Sequence, residues 1–415
     1  MPKQEYIYTF ILGRNVALSV AEILSVLTRE HFVFVILSIS AKALIIKTPQ
    51  EIKNAQRFLD RLGGSIKIAE ILTKINNKKD IKETLLRFIE NACPKTKFVW
   101  GVSLHDFDDM SINQINHLGF EIKNDLRKMG VSSRFIRLND LPYLSAPEIT
   151  NNKVMGKGME FILIRMGGNI FVGKTVAIQD FQSYSFRDYE RPKRNPKSGM
   201  LPPKLAQIMI NLVPNHKYIY DPFCGNGTIL AEAMLMEGKA IGSDLSSKAV
   251  SDTKENLCWL INKYDLEATI DPDKEIFQSD ATDIQKKQLP QEPDCIVSEI
   301  YLGPPLTKAP HKEELYETTS RIEGVSLGFL KNTHSNLACV KYLVIAMPFY
   351  KLKDGDYKLN IIDQIKNIGY TTISPLENSK INFGLMPEYN KERKTFLYSR
   401  ESQIVGREII ILERR

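Results

Sequence analysis

A chain of 415 residues, 43% hydrophobic and 25% charged, is longer than one ordinary hydrophobic core needs and apolar enough to fold without crosslinks or metals. Its five cysteines (Cys93, Cys224, Cys258, Cys295 and Cys339) show no CxxC spacing and its six histidines no HxH or HxxxH pair, so neither a disulfide framework nor a metal site is expected. The formal net charge of +7 is compatible with a polyanionic partner without demanding one.

The chain opens with Lys3, Gln4 and Glu5 where a secretory leader would be apolar, and the apolar run at 32–46 is broken by Ser38, Ser40 and Lys42. No membrane span and a cytoplasmic protein are therefore expected. A β-rich run at 6–12 precedes an apolar-periodic helix that Ser19 would cap, carrying Ala21, Ile23, Leu24 and Leu27. A hairpin at 32–38 and 43–47, a helix at 55–62, a Gly63-Gly64 stop and a strand at 65–72 complete an α+β unit over residues 1–79. Residues 80–180 form a second α+β unit: helix 81–92, strand 98–103, helix 112–129, strand 134–138 and a short helix near Ala146. A hairpin at 161–165 and 170–176 closes it around Gly167-Gly168-Asn169. Residues 181–201 are charged and Pro-containing and read as a connector, in which Arg187, Arg191, Lys193, Arg194 and Lys197 face only Asp188 and Glu190. On charge alone such a run is a solvated linker.

From 202 to 415 strands and helices alternate. Pro202-Pro203 opens a helix at 204–213, since proline is tolerated in a first turn. Strands at 217–220, 240–243, 275–278, 295–297 and 342–347 are separated by helices at 229–236, 248–264 and 313–330. A helix at 361–368 and a terminal pair of strands at 395–398 and 408–412 end the chain. This alternation predicts an α/β, doubly wound, mostly parallel sheet.

Between the first strand and helix of that region stands Asp221-Pro222-Phe223-Cys224-Gly225-Asn226-Gly227-Thr228. Gly225 and Gly227 permit a tight turn and let a ligand approach the backbone. Asp244 follows the next strand, 23 residues after Asp221, the spacing at which an acidic side chain reaches a ribose hydroxyl. Ser279-Asp280-Ala281 follows the third strand, where an adenine amino group is within reach. No second glycine set suits a pyrophosphate, so a nucleoside without phosphates fits better than a dinucleotide.

DPFCGNGT followed by GSDL resembles motifs one and two of class I methyltransferases, in the subset that modifies exocyclic amines of nucleic-acid bases. SGMLPPKLAQIMINL, preceded by YSFRDYERPKRNPKSG, is similar to the approach to that domain in the archaeal-type tRNA guanosine-10 N2-methyltransferases. GVSL, GFEIKNDLRKMGVSSRFIR and APEITNNKVMGKGMEFILI resemble a THUMP RNA-binding domain. FILGRNVALSVAEILSVL and RLGGSIKIAEIL are similar to the ferredoxin-like start of that family, and YSRESQIVGREIIILER to its closing hairpin. The resemblance covers nearly the whole chain. It implies a ferredoxin-like domain at 1–79, a THUMP-like domain at 80–180, a basic linker at 181–201 and a class I (Rossmann-like) methyltransferase domain at 202–415. It further implies S-adenosylmethionine as cofactor, held by Asp221, Pro222, Phe223, Cys224, Gly225, Gly227, Thr228, Asp244, Leu245, Asp280 and Ala281, and tRNA as partner. Arg187, Arg191, Lys193, Arg194 and Lys197 would then face tRNA phosphates.

One motif departs from the family, which places Asp-Pro-Pro-Tyr at the end of the fourth strand. Here DCIVSEIYLGPPL puts Ser298-Glu299-Ile300-Tyr301 there. The resemblance gives Ser298 and Glu299 the task of accepting hydrogen bonds from the target amine, and Tyr301 that of stacking on the flipped base. The function implied is methyl transfer to an exocyclic base amine of tRNA, guanosine N2 first. Its rivals are adenine N6 of RNA or DNA, and a catalytically silent RNA-binding scaffold.

Overall fold

The computed structural model describes residues 5–92, 98–194, 200–214, 217–266, 270–377, 381–401 and 403–415, so Cys93 and Lys197 lie outside the described residues. The chain divides into two compact units. The first comprises Met1–Val16, His31–Arg61 and Ser65–Gln182; the second comprises Ala17–Glu30, Leu62–Gly64 and Ser183–Arg415.

Strands of the first unit are β1 (Tyr6–Leu12), β2 (Val35–Ile39), β3 (Ala43–Thr48), β4 (Ser65–Ile75), β5 (Phe98–His105), β6 (Ser133–Phe135), β7 (Gly158–Met166) and β8 (Asn169–Ile178). They form one sheet in the order β2-β3-β1-β4-β8-β7-β5-β6. Because β4 pairs antiparallel with β1 on one side and β8 on the other, the stretches 1–79 and 80–180 share this sheet. β5 is buried along its whole length. The helices Ile81–Ala92 and Ile112–Lys128 set Ile81, Leu85, Ile89, Ile115, Ile122 and Leu126 against Trp100, Phe135 and Phe161. The strand expected at 134–138 stops at Phe135 for a specific reason. The Asn116 side chain takes both backbone groups of Leu138, accepting from its N–H at 2.9 Å and donating to its carbonyl at 2.8 Å.

Inside this unit Lys67 Nζ meets Glu160 at 2.5 Å, and both side chains are buried. Ser103 and Thr175 hydroxyls also donate to Glu160, and Lys67 donates to the Leu144 carbonyl. Removing one member leaves the other charge buried and unanswered, whereas replacing both with apolar groups is close to neutral. Glu160→Ala should therefore cost about 3–5 kcal/mol in urea unfolding. The double change Lys67→Met, Glu160→Leu should recover most of it.

The second unit is built on β9 (Tyr218–Asp221), β10 (Lys239–Asp244), β11 (Ile276–Gln278), β12 (Cys295–Glu299), β13 (Tyr342–Leu352), β14 (Gly355–Lys358), β15 (Tyr370–Ile373), β16 (Tyr389–Asn390), β17 (Thr395–Tyr398) and β18 (Val405–Arg414). Their order is β11-β10-β9-β12-β13-β18-β17-β16, with β14 on β13 and β15 on β18. β9 to β13 run parallel and β18 runs antiparallel to β13, which makes this the doubly wound, Rossmann-like α/β fold that the alternation of elements predicts. Helices Thr228–Leu235, Ser247–Tyr264 and Lys312–Asn336 belong to it, and Tyr220, Ile296, Phe329, Leu343 and Ile410 centre its core.

An N-terminal segment belongs to this second unit. The helix Val16–Arg29 begins before Ser19, which is buried within it and is not its cap. From this helix Glu22 accepts from the Gly63 and Gly64 N–H groups and from Asn211 Nδ2, at 2.8–2.9 Å. Arg29 donates to the Asn211 and Val213 carbonyls and to Asn211 Oδ1. Gly63 is glycine by necessity, because a Cβ there would lie 2.1 Å from the Lys204 carbonyl oxygen. Among the described residues no helix is long and apolar enough to cross a membrane.

Candidate functional site

In an open parallel sheet the loops after neighbouring strands diverge where strand order reverses, and the gap between them is a crevice. Here that place is between β9 and β12. A cleft of about 880 Å³ opens there, within the usual size of a small-molecule site. It is lined by the ends of β9, β10 and β12 and by the loops after β9, β10, β11 and β12.

After β9 the chain turns through Gly225 (φ 53°) and Gly227 (φ 77°), both in the left-handed region that glycine enters freely. A Cβ on Gly227 would meet Thr253 Cγ2 at 2.9 Å, while a Cβ on Gly225 would find, beyond its chain neighbours, only the Phe223 carbonyl oxygen within 4 Å. Thr253 donates to the Gly225 carbonyl at 2.7 Å and fixes the turn. Asp244, at the end of β10, accepts from the Gly225 N–H at 3.0 Å and the Ser246 N–H at 2.9 Å. Each of its oxygens keeps a lone pair for a ligand. Asp280 accepts from the backbone and hydroxyl of Thr282, and Ala281 beside it is buried. Of the residues expected to hold a cofactor, Asp221, Pro222, Phe223, Cys224, Gly225, Thr228, Asp244, Leu245, Asp280 and Ala281 all line the cleft. Gly227 does not; it forms the turn beneath.

Strand alternation decides the roles at the end of β12. Ser298 is fully buried and its hydroxyl donates to Asp221 Oδ1 at 2.6 Å, so it does not face the cleft and the role expected for it at the target amine is corrected. Glu299, one residue on, lines the cleft and is held by the Nε of Arg407 from β18. Burial pushes the Glu299 carboxyl up, and the Arg407 guanidinium pulls it back. Tyr301 lines the cleft and is 45% exposed, with Gly303, Pro304 and Pro305 following it.

The basic segment needs a second correction. Arg187 and Arg191 are buried and face inward, not toward solvent as phosphate contacts must. Arg187 Nε pairs with Glu232 at 2.7 Å, and Arg191 donates to Thr228 Oγ1 at 2.7 Å. The first part of the expected linker is the helix Phe181–Tyr189. The backbone of Lys193 is clamped by Asn226 and Asn256, and its Nζ pairs with Glu255 at 3.1 Å. Arg194 is exposed and lies over the Tyr189 ring. The segment thus braces the turn at 226–228 from behind. The cleft also gathers Met200, Leu201, Ser246, Thr282, Arg321 and Val325, which no local motif marks. Among the described residues no cluster of His, Cys, Asp and Glu could hold a metal ion.

Asp221 is buried, and desolvation pushes its carboxyl up to about 7 despite the Ser298 hydroxyl and Phe223 N–H that it accepts from. The unfolded chain would release that proton near pH 4, so this group lowers stability progressively as pH rises from about 4 to 7. The penalty is at most about 4 kcal/mol. Asp221→Asn keeps the acceptor and removes the charge. Its melting temperature relative to wild type, without ligand, should rise between pH 5 and pH 8; a constant difference would show that Asp221 titrates normally.

Residues 191–324 match a family profile described as "RMKL-like, methyltransferase domain", and residues 53–255 match one described as "DNA methylase". A tRNA (guanine(10)-N2)-dimethyltransferase of Methanothermobacter thermautotrophicus is 36% identical over 167 residues, 40% of this chain and 43% of that protein. One of Pyrococcus abyssi is 28% identical over 201 residues, 48% of this chain and 53% of that protein. The aligned part thus spans about half the length of these curated relatives. Among solved structures, TrmN from Thermus thermophilus aligns over 99% of this chain and 100% of its own, with a TM-score of 0.51 at 14% identity. SMU.472, a methyltransferase candidate solved with SAH, aligns over 100% and 99% with a TM-score of 0.50 at 10% identity. Identities that low speak for the fold alone. Residues 191–324 thus match a methyltransferase domain family, and the chain is similar to tRNA (guanine(10)-N2)-dimethyltransferases over about half of their length.

Proposed function

We propose that the protein transfers a methyl group from S-adenosylmethionine to an exocyclic base amine of tRNA, guanosine N2 at position 10. The observation that carries this reading is the convergence of four strand-end loops on one cleft, in a chain related to proteins of that name. The residues present fit the cofactor: Gly225 leaves open space for a ligand against the backbone, and Asp244 retains acceptor capacity for a ribose diol. Asp280 and Ala281 stand where a base edge would be read.

When bound, S-adenosylmethionine supplies an electrophilic methyl on a sulfonium. The chain must do the rest. A guanine amine is a poor nucleophile because its lone pair is delocalised into the ring, so it needs a proton acceptor and a fixed orientation. Glu299 is the acceptor, and Arg407 holds its carboxylate in place and offsets the cost of burying it. Tyr301 supplies the ring on which the flipped base stacks, a contact worth ~1–3 kcal/mol. Ser298 acts one layer down, holding Asp221 at the foot of the cofactor site. Residues 1–180, of which 80–180 resemble a THUMP domain in sequence, and the exposed Arg194 contribute tRNA affinity through shape and phosphates. Adenine N6 is a second reading, favoured by the "DNA methylase" match at 53–255.

Labelled S-adenosylmethionine, unmodified tRNA and identification of the modified nucleoside test the reading. N2-methylguanosine supports it, N6-methyladenosine replaces it with the second reading, and no transfer leaves a scaffold. Asp244→Ala should weaken cofactor binding by roughly 1.5–3 kcal/mol in calorimetry, the value of a charge-assisted hydrogen bond. Wild-type affinity would remove Asp244 from the site.

Glu299→Gln keeps size and removes charge. It should lower the methylation rate by ~10²–10⁴ with cofactor affinity unchanged. Ser298→Ala should show the opposite pattern, a change in cofactor affinity with a smaller effect on rate. If the two variants behave alike, the layering of Ser298 behind Glu299 is wrong.

A further inference from the structure

Among the described residues, the lining of the cleft holds four carboxylates, Asp221, Asp244, Asp280 and Glu299, and a single cation besides, Arg321. Arg321 is exposed and forms no ion pair among the described residues. Glu317 stands one turn earlier on the same helix, where an i, i+4 pair is ready-made, yet the two do not pair.

The helix Lys312–Asn336 shows which end of the cleft Arg321 serves. Phe329 lies edge-on to Phe223 at 5.4 Å, and a Cβ on Gly328 would be 3.2 Å from Thr282 Cγ2. That part of the helix backs the loops after β9 and β11, on the cofactor side. Nearer its N-terminus, a Cβ on Gly303 would meet Thr318 and Ile322 at 3.2–3.3 Å, so that part backs the loop carrying Tyr301. Arg321 adjoins Ile322, about 12 Å along the axis from Phe329. A cation is misplaced beside a sulfonium. A guanine edge can accept from a guanidinium, but the charged partner that every nucleotide brings with its base is the phosphate of the strand.

Resting on the function proposed above, we propose that Arg321 binds a backbone phosphate of the polynucleotide strand that delivers the target base. A base unstacked onto Tyr301 brings its own phosphates to the mouth of the cleft. The planar guanidinium fork matches phosphate oxygens two at a time, which a lysine ammonium does not.

The test compares wild type, Arg321→Ala and Arg321→Lys for methyl transfer to unmodified tRNA over a range of salt, for tRNA binding by filter retention, and for SAH binding by calorimetry. Arg321→Ala should raise the KM for tRNA roughly tenfold with a smaller change in kcat, since one charge-assisted contact is lost. Its log–log salt slope for tRNA binding should be shallower by about one unit. Arg321→Lys should restore the salt slope but only part of the KM, and SAH affinity should not move. Wild-type KM and salt slope in Arg321→Ala would overturn the proposal. Weakened SAH binding would overturn it too, by assigning the anion to the carboxylate of the cofactor. If wild type transfers no methyl group, the functional reading falls while the salt slope of tRNA binding still decides the role of Arg321.

Discussion

A buried carboxylate at the point where β9 and β12 part company sets the conditions for everything around it. Asp221 sits at the foot of the crevice, and an acid without water must have donors or a proton. Ser298 supplies one donor and the turn at Phe223 another. A second acid at 298 would set two carboxylates in hydrogen-bond contact, so the serine in this motif is complementary to Asp221. The same hydroxyl ties the end of β12 to the end of β9, and so sets the height at which Glu299 and Tyr301 emerge.

Behind the turn, the arginine-rich segment does the work of a core. Arg187 on Glu232 and Arg191 on Thr228 hold the start of the helix that follows the glycines, while Asn226 and Asn256 grip the backbone of Lys193. Isolated buried ion pairs add little net stability, but they fix orientation, because breaking one is costly. The cleft therefore has a rigid back wall made from residues whose charge suggests a surface.

The difference between what was legible and what was not follows from the range of the interactions. The glycine turn, the acidic ends of β10 and β11 and the alternation of elements are local, and the sequence displays them in order. The inward course of Arg187 depends on Glu232, 45 residues later, and the direction of Ser298 on Asp221, 77 residues earlier. Strand register made the difference at β12: one residue of shift exchanges the buried and the cleft-facing side chain. Arg321 belongs to no motif, because it reaches the site from a helix that carries no glycine turn or acidic strand end. The shortened strand at Ser133–Phe135 is similar, ended by a side chain from a preceding helix.

The packing of Ala17–Glu30 within the unit that houses the cleft bears on how the chain is made. Glu22 leaves the ribosome 189 residues ahead of Asn211, its partner. At about 5–20 residues per second, roughly 10–40 s separate the two. Throughout that interval the helix Val16–Arg29 has an apolar face and a carboxylate with no Asn211 side chain to receive them. The unit that houses the cleft thus cannot close before Asn211 is made, 189 residues after Glu22. A helix made well before its partners is one of the last elements to find its place.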